Sequence, residues 1–160
     1  MSDFEAVIKS EFDTKENPNR MIICLKNECL DDKATEPSLE RTMVLADANR
    51  IVQVITNLLS NAVKFSRQRD RALITITTGI RVIVNKSMAI VFISDQGQGI
   101  DPKIVPRLFE KFISGSEKGT GLGLYISKNI VKAHGGDIWA ENNKSGIGAT
   151  FVFTLPLLKS

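Results

Sequence analysis

A long amphipathic segment runs from about Asp47 to Arg67 and predicts a helix that must pack against a second layer. Its apolar residues recur at the three- and four-residue spacing of an α-helix, and Asp47 can cap the first turn. A helix with one apolar stripe buries that stripe against another layer of secondary structure. The stripe consists of Ile51, Val54, Ile55, Leu58, Leu59, Ala62 and Phe65.

Strand patterns elsewhere in the chain supply that second layer. Two β-branched runs, residues 72–85 and 87–94, are joined around Asn85-Lys86-Ser87 and predict a hairpin. The polar stretch 26–42 predicts a surface loop. Further strands are predicted at 21–25, 42–46, 137–142 and 149–157, and further helices near 3–12 and from about Leu122 to Ala133. The order predicts an α+β two-layer sandwich, with a mixed, mostly antiparallel sheet of about five strands and three main helices on one face.

Length and composition exclude several classes of protein. The 160 residues, of which 42% are hydrophobic, suffice for one sizeable core, so we expect one domain covering 1–160. A net charge of +3 is too mild for general binding to nucleic acid or a membrane surface. Cys24 and Cys29 lack the spacing of a metal or redox pair, and we expect reduced thiols. With no long apolar run, the chain is expected to be cytoplasmic.

The long helix carries three polar residues beside its apolar face. Asn57, Asn61 and Lys64 are spaced i, i+4 and i+7 and fall on one stripe. Amide oxygens suit Mg²⁺, which prefers oxygen ligands and completes its coordination with water and substrate phosphates. A lysine one turn away would face the same phosphates. The alternative is that the asparagines hydrogen-bond to neighbouring loops.

A second candidate element follows the predicted strand 87–94. Asp95 enters a turn with Gly97 and Gly99. A carboxylate at a strand end can accept a hydrogen bond from an exocyclic amine such as that of adenine, while glycines let backbone approach a flat ring. The alternative is an ordinary Asp-Gly turn.

A third element is the glycine-rich stretch ahead of the last predicted helix. Gly119, Gly121 and Gly123, with Thr120, leave main-chain N–H groups free to bind a phosphate chain at the positive end of that helix. The pattern does not fit a dinucleotide GxGxxG motif, because Leu124 stands where glycine is needed, and the chain has no GxxxxGK[ST] loop. The alternative is a flexible connector.

Taken in order, the three elements resemble the catalytic, ATP-binding domain of sensor histidine kinases. This domain belongs to a superfamily with gyrase, heat-shock chaperone and mismatch-repair ATPases, built on the Bergerat-type fold. Residues 57–66 (NLLSNAVKFS) resemble the N box and 95–100 (DQGQGI) the G1 box. Residues 108–112 (LFEKF) resemble the F box and 119–124 (GTGLGL) the G2 box.

The resemblance implies ATP and Mg²⁺ as cofactors and assigns roles by position. Asn61 would bind Mg²⁺ with help from Asn57, Lys64 would contact phosphate, Phe65 would pack near the base, and Asp95 would bind the adenine amine. The ATP lid would be Ile113–Lys118, with Lys118 and Lys111 as candidates for the γ-phosphate. The remaining implied nucleotide-binding residues are Gly97, Gly99, Ile100, Gly119, Thr120, Gly121, Leu122 and Gly123.

The resemblance also implies which reaction is catalysed. Hydrolytic members of the superfamily carry a general-base glutamate where this chain has Asn57, and an amide cannot accept a proton. We therefore expect γ-phosphoryl transfer to a histidine on a separate dimerisation domain, with a response regulator downstream, from a piece that is itself monomeric. His134 is expected to serve packing or capping. The alternatives are an ATP hydrolase and a nucleotide sensor without transfer activity.

Overall fold

A computed structural model describes residues 21–27, 43–66, 72–113 and 119–158. Two α-helices lie in these ranges, α1 (Ala48–Ser66) and α2 (Gly123–Ala133), together with a 3₁₀ turn at Val105–Arg107. The strands are β1 (Met21–Asn27), β2 (Ala72–Ile83), β3 (Lys86–Ser94), β4 (Ile138–Asn142) and β5 (Ala149–Pro156). The predicted helix near 3–12 and most of the predicted loop 26–42 lie outside the described residues.

The strands form one sheet in the order β1-β2-β3-β5-β4. Strand β1 pairs with β2 in parallel, and the other four strands pair in antiparallel fashion. In this register Ile93 lies opposite both Ile76 and Phe151. The α+β class is confirmed, with the antiparallel strands β2 to β5 and two helices, while the first of the three predicted main helices lies outside the described residues.

Both helices pack on the sheet face that these residues share. The buried core joins the stripe of α1 to inward-facing strand residues, because alternate residues of a strand point to the same face. Burying one such aliphatic or aromatic side chain contributes about 1.5–3 kcal/mol, so this face supplies much of the driving force for folding. The core includes Val54, Leu58, Leu59, Ile74, Ile76, Ile93, Val131, Phe151 and Phe153.

The hairpin between β2 and β3 is confirmed, but its turn lies slightly earlier than predicted. Ile83 pairs with Lys86, so the turn residues are Val84 and Asn85 rather than 85–87. Both have positive φ, 47° and 60°. A two-residue hairpin turn of this kind requires the left-handed region at both positions, which asparagine tolerates well.

The strand predicted at 42–46 is wrong. Within the described part of that segment, Val44 makes an isolated bridge to Leu157, and Leu158 N donates to Met43 O. The segment lies beside the end of β5 and does not extend the sheet as a strand. Val44 is partly buried and packs against the core.

His134 joins the end of α2 to the start of α1. Its Nε2 accepts a hydrogen bond from Asp47 N at 3.0 Å, and its Nδ1 lies 2.7 Å from Ile130 O. The ring therefore acts as an acceptor on one side and as a donor on the other. The expected packing or capping role agrees with these contacts.

His134→Ala is expected to lower the free energy of unfolding by about 1–2 kcal/mol, because two hydrogen bonds are lost. Urea denaturation of the nucleotide-free chain measures the effect. Lys128→Ala, at an exposed position of the same helix, is the control and should leave stability nearly unchanged. Equal stability of His134→Ala and the unsubstituted chain would contradict the structural role.

Among the described residues, no helix combines the length and apolar character needed to cross a membrane.

Candidate functional site

A cleft of about 350 Å³ opens between α1, the start of α2 and the segment after β3. It brings together the three elements that the sequence singled out, although they are far apart along the chain. The predicted residues that line it are Asn57, Asn61, Lys64, Phe65, Asp95, Gly99, Ile100, Gly119, Thr120, Gly121 and Gly123. Lys118 lies outside the described residues.

The polar stripe of α1 forms one wall of the cleft. Asn57 Nδ2 donates to Ser127 Oγ at 2.9 Å, which ties α1 to α2. A Cβ at Gly123 would collide with the Asn57 carboxamide, so a glycine is needed for this close contact. Asn61 is half-buried one turn further on, and Lys64 Nζ lies 5.6 Å from the centroid of the Phe65 ring. The wall therefore presents amide oxygen and a cation to the same space.

Asp95 forms the buried acceptor of the cleft. Its side chain is 4% exposed, and its Oδ1 accepts from Gly97 N at 2.7 Å and from Ala149 N at 3.4 Å. Both of these donors use Oδ1, and within the described ranges no group donates to Oδ2, so this oxygen can accept from a ligand in the cleft. Burial raises the pKa of Asp95, and the two backbone N–H groups offset part of that rise.

This raised pKa predicts a pH dependence of stability. The folded chain binds the Asp95 proton at higher pH than the unfolded chain does, so Asp95 lowers stability as pH rises from about 3.9 through the folded-state pKa. Asp95→Asn lacks this titration. The unfolding free energy of the original chain minus that of Asp95→Asn should therefore fall across this window. Denaturant titrations over a pH series measure it, and a difference that rises with pH would contradict the prediction.

Among the predicted ligand-binding residues, Gly97 and Leu122 do not line the cleft. A Cβ at Gly97 would lie 2.7 Å from Phe65 O, so this glycine lets the turn pack on the end of α1. Its N–H is used by Asp95. Leu122 is the N-cap residue of α2 and is half-buried. Both residues support the walls of the cleft.

The glycine-rich turn closes the other end of the site. Phe112 N donates to Gly121 O at 3.0 Å, which joins the chain before the predicted lid to the chain after it. Gly121 has φ +66°, and a Cβ there would lie 2.6 Å from the Phe112 carbonyl carbon. Phe112 itself has φ +64° and is exposed. A glycine is therefore required at 121 for both its backbone angle and its close contact.

Gly121→Ala is expected to weaken ATP binding about tenfold, because the alanine would displace the segment that closes the site. Gly146→Ala is the matched control: Gly146 has a similar φ of +76°, but a Cβ added there would meet nothing within 4 Å. It bears the same backbone strain of roughly 1 kcal/mol without the collision. Calorimetry compares the two variants, and equal ATP affinities would contradict the prediction.

The cleft also has an apolar wall, of which the sequence predicted only Ile113, as the first residue of the lid. Its side chains come from the 3₁₀ region, the start of the lid, α2 and β5. The F-box resemblance was a signal for Leu108, whereas the two β5 residues could be placed only from the sheet register. Gln98 and Asp101 add polar groups. The apolar members are Ile104, Leu108, Ile113, Leu124, Ala149 and Phe151.

Lys111 does not line the cleft. Its Nζ lies 5.0 Å from the centroid of the ring of Tyr125, a residue of α2. The nearby Lys111 charge and, more strongly, a hydrogen bond with Asn129 lower the pKa of Tyr125. In this arrangement Lys111 contacts a side chain of α2 and does not reach the cleft.

The donor set at the cleft limits which metal it could hold. In the described ranges, no group of three or more His, Cys, Asp or Glu side chains could hold an ion. Asn57 and Asn61 offer amide oxygens, which fit a hard cation that takes its other ligands from water and phosphate. They do not fit a zinc centre, which requires nitrogen or sulfur ligands.

Comparison with known proteins agrees with this geometry. Residues 46–159 match the family model described as histidine kinase-, DNA gyrase B-, and HSP90-like ATPase. The sensor protein FixL of Bradyrhizobium diazoefficiens is 43% identical over 114 residues, which are 71% of this chain and 22% of FixL. The chain thus spans less than a quarter of that relative.

Solved structures show the same architecture. The catalytic domain of histidine kinase ThkA superposes with a TM-score of 0.67 at 29% identity, covering 96% of this chain and 86% of that chain. Full-length ShkA in complex with AMPPNP gives a TM-score of 0.71 at 24% identity, covering 99% of this chain and 31% of ShkA, and shows a common fold. The family model is matched over residues 46–159, and Asp95 and the glycine-rich turn 119–123 line one cleft. The chain therefore belongs to the histidine kinase-, DNA gyrase B-, and HSP90-like ATPases, as a catalytic ATP-binding domain of the sensor histidine kinase type.

Proposed function

We propose that this domain binds Mg-ATP in the cleft and presents the γ-phosphoryl group to a histidine on a separate dimerisation domain, in two-component signalling. The observation that carries the proposal is a buried carboxylate, Asp95, that lines the same cleft as the glycine-rich turn 119–123 and accepts backbone hydrogen bonds from described residues on Oδ1 alone. The end of the cleft with Asp95 suits the amine of adenine, and the end with the glycine-rich turn suits a phosphate chain. The 160 residues would act as one domain.

Different residues of the cleft would contact the base, the phosphates and the metal ion. Asp95 Oδ2 would accept from the adenine amine, while Ile104, Leu108 and Phe151 would contact the base. The N–H groups of 119–123 and the positive end of α2 would bind the phosphates. Asn61, assisted by Asn57, would hold Mg²⁺, and Lys64 would contact phosphate. Bound Mg²⁺ would neutralise charge that develops on the phosphate oxygens.

Transfer is favoured over hydrolysis by the contact that Asn57 makes. Where a hydrolase needs a base to activate water, this chain has an amide whose nitrogen already donates to Ser127. An amide cannot accept the water proton, and general-base catalysis worth about 10²–10⁴ in rate is absent from this position. The nucleophile must therefore carry its own reactivity, as an imidazole does. The protein's contribution is to position the nucleotide and stabilise charge.

A reconstituted phosphotransfer assay tests the proposal. Labelled ATP and Mg²⁺ are incubated with this chain and with a supplied histidine-containing dimerisation domain. We expect acid-labile label on the supplied domain, and no label when its histidine is replaced by alanine. His134→Ala in this chain should leave the labelling unchanged. ATP binding without labelling would support a nucleotide sensor, and steady ATP turnover by this chain alone would support a hydrolase.

A further inference from the structure

Two consecutive asparagines at the end of β4 hold the loop that carries Asp95. Asn142 contacts the far end of this loop, residues 95–100. Its Oδ1 accepts from Ile100 N at 2.7 Å, and its Nδ2 donates to Ile100 O at 2.8 Å. One carboxamide thus satisfies both backbone groups of a single residue, which requires a side chain with a donor and an acceptor side by side.

Asn143 contacts the near end of the same loop. Its Nδ2 donates to Asp95 O at 2.8 Å and to Ile147 O at 2.8 Å. Its Oδ1 accepts from Thr150 Oγ1 at 2.6 Å, which fixes the orientation of the amide. The asparagine pair, Asn142 and Asn143, therefore binds both ends of the segment that supplies the buried acceptor.

The backbone around the asparagine pair is packed too closely to move independently. Gly99 has φ +79°, and a Cβ there would lie 2.9 Å from Asn142 Oδ1. Gly148 has φ +78°, and a Cβ there would collide with Asp95 O. Both glycines allow direct contact between the loop 95–100 and the β4–β5 connection. The position of the Asp95 carboxylate is thus tied to that connection from two sides.

We propose that Asn142 and Asn143 are positioning residues that set the discrimination of the cleft for adenine. Neither lines the cleft; both line a separate depression of about 620 Å³, so their influence passes through the loop. By holding Ile100 and the Asp95 backbone, they keep Asp95 Oδ2 where it meets the exocyclic amine. This inference rests on the proposed function, since it concerns recognition of the base in the same site.

The ratio of affinities for ATP and inosine triphosphate tests the proposal, because inosine triphosphate lacks the exocyclic amine. A hydrogen bond to a charged acceptor predicts a preference for ATP of about tenfold to a hundredfold in the unsubstituted chain. Asn142→Ala and Asn143→Ala should each reduce this preference at least threefold. Asn142→Asp retains the acceptor for Ile100 N–H and should fall in between. Ser145→Ala, in the same connection, is the control and should keep the full preference.

A merely structural role predicts a different result. If the pair only stabilised the fold, both affinities would fall together and the preference would be unchanged, which would overturn the proposal. Hydrogen exchange at the Ile100 amide of the nucleotide-free chain provides a second readout that needs no variant to fold. We expect strong protection there, and exchange at the rate of an unstructured peptide would also overturn the proposal. Failure of the proposed function shows separately, as no ATP binding by the unsubstituted chain.

Discussion

Asp95→Asn is expected to weaken ATP binding by about tenfold to a hundredfold while leaving the domain folded. Both backbone donors, Gly97 N and Ala149 N, use Oδ1, and asparagine retains that oxygen. The substitution replaces Oδ2 with an NH₂ group, so a donor would meet the donor of the adenine amine that we propose binds there. The loss corresponds to about 1.5–3 kcal/mol, the contribution of one hydrogen bond to a charged acceptor.

Calorimetry with ATP and with inosine triphosphate measures this effect. The variant should lose affinity for ATP and little affinity for inosine triphosphate, because the second ligand has no amine to donate. Stability serves as the control: at neutral pH the nucleotide-free variant should be at least as stable as the original chain, because a buried charge has been removed. Unchanged ATP affinity would contradict the assignment of Asp95 to the base.

Asn61→Ala is expected to lower the phosphotransfer rate to a supplied dimerisation domain by about 10²–10³. Loss of a metal ligand removes charge stabilisation in the transition state, and each factor of ten in rate corresponds to about 1.4 kcal/mol. Single-turnover transfer measured over a range of Mg²⁺ concentrations tests it. The rate of the variant should rise with Mg²⁺ well beyond the concentration that saturates the original chain.

Two comparisons make the Asn61 result specific. Ser60→Ala, at the adjacent exposed position of α1, should transfer at the original rate. ATP binding measured with a chelator and without Mg²⁺ should be similar for Asn61→Ala and the original chain, since the asparagine acts through the metal. A transfer rate within threefold of the original would be incompatible with Asn61 as a metal ligand.

The elements of this fold were largely predictable because their patterns are local. The stripe of α1 repeats every three or four residues, and the hairpin runs are β-branched, so helix and strands could be placed within a few residues. The prediction at 42–46 was wrong because a run of only four apolar residues, 43–46, is equally compatible with a single bridge at Val44. Whether a short apolar run forms a strand depends on the residues that pack beside it.

The site was predictable in part for the same reason. Asn57, Asn61, Asp95 and the glycines of 119–123 stand in recognisable local patterns, and the cleft brings them together. Gly97 was predicted to contact the ligand, but its lack of a side chain instead allows the turn to pack against Phe65 O. Nothing near Asn142 in the sequence indicates that it contacts Ile100, because that contact depends on how the β4–β5 connection lies against the loop.

Periodicity and motif spacing predicted most of the helices and strands, the family and the kinds of side chain offered to a nucleotide, because these patterns lie within short stretches of the chain. Which of these groups meet follows from the three-dimensional packing of the chain. Asn57 reaches Ser127 across 70 positions and Asp95 reaches Ala149 across 54, and such pairs follow from sheet register and helix packing. Those contacts join residues whose separation along the chain carries no local signal.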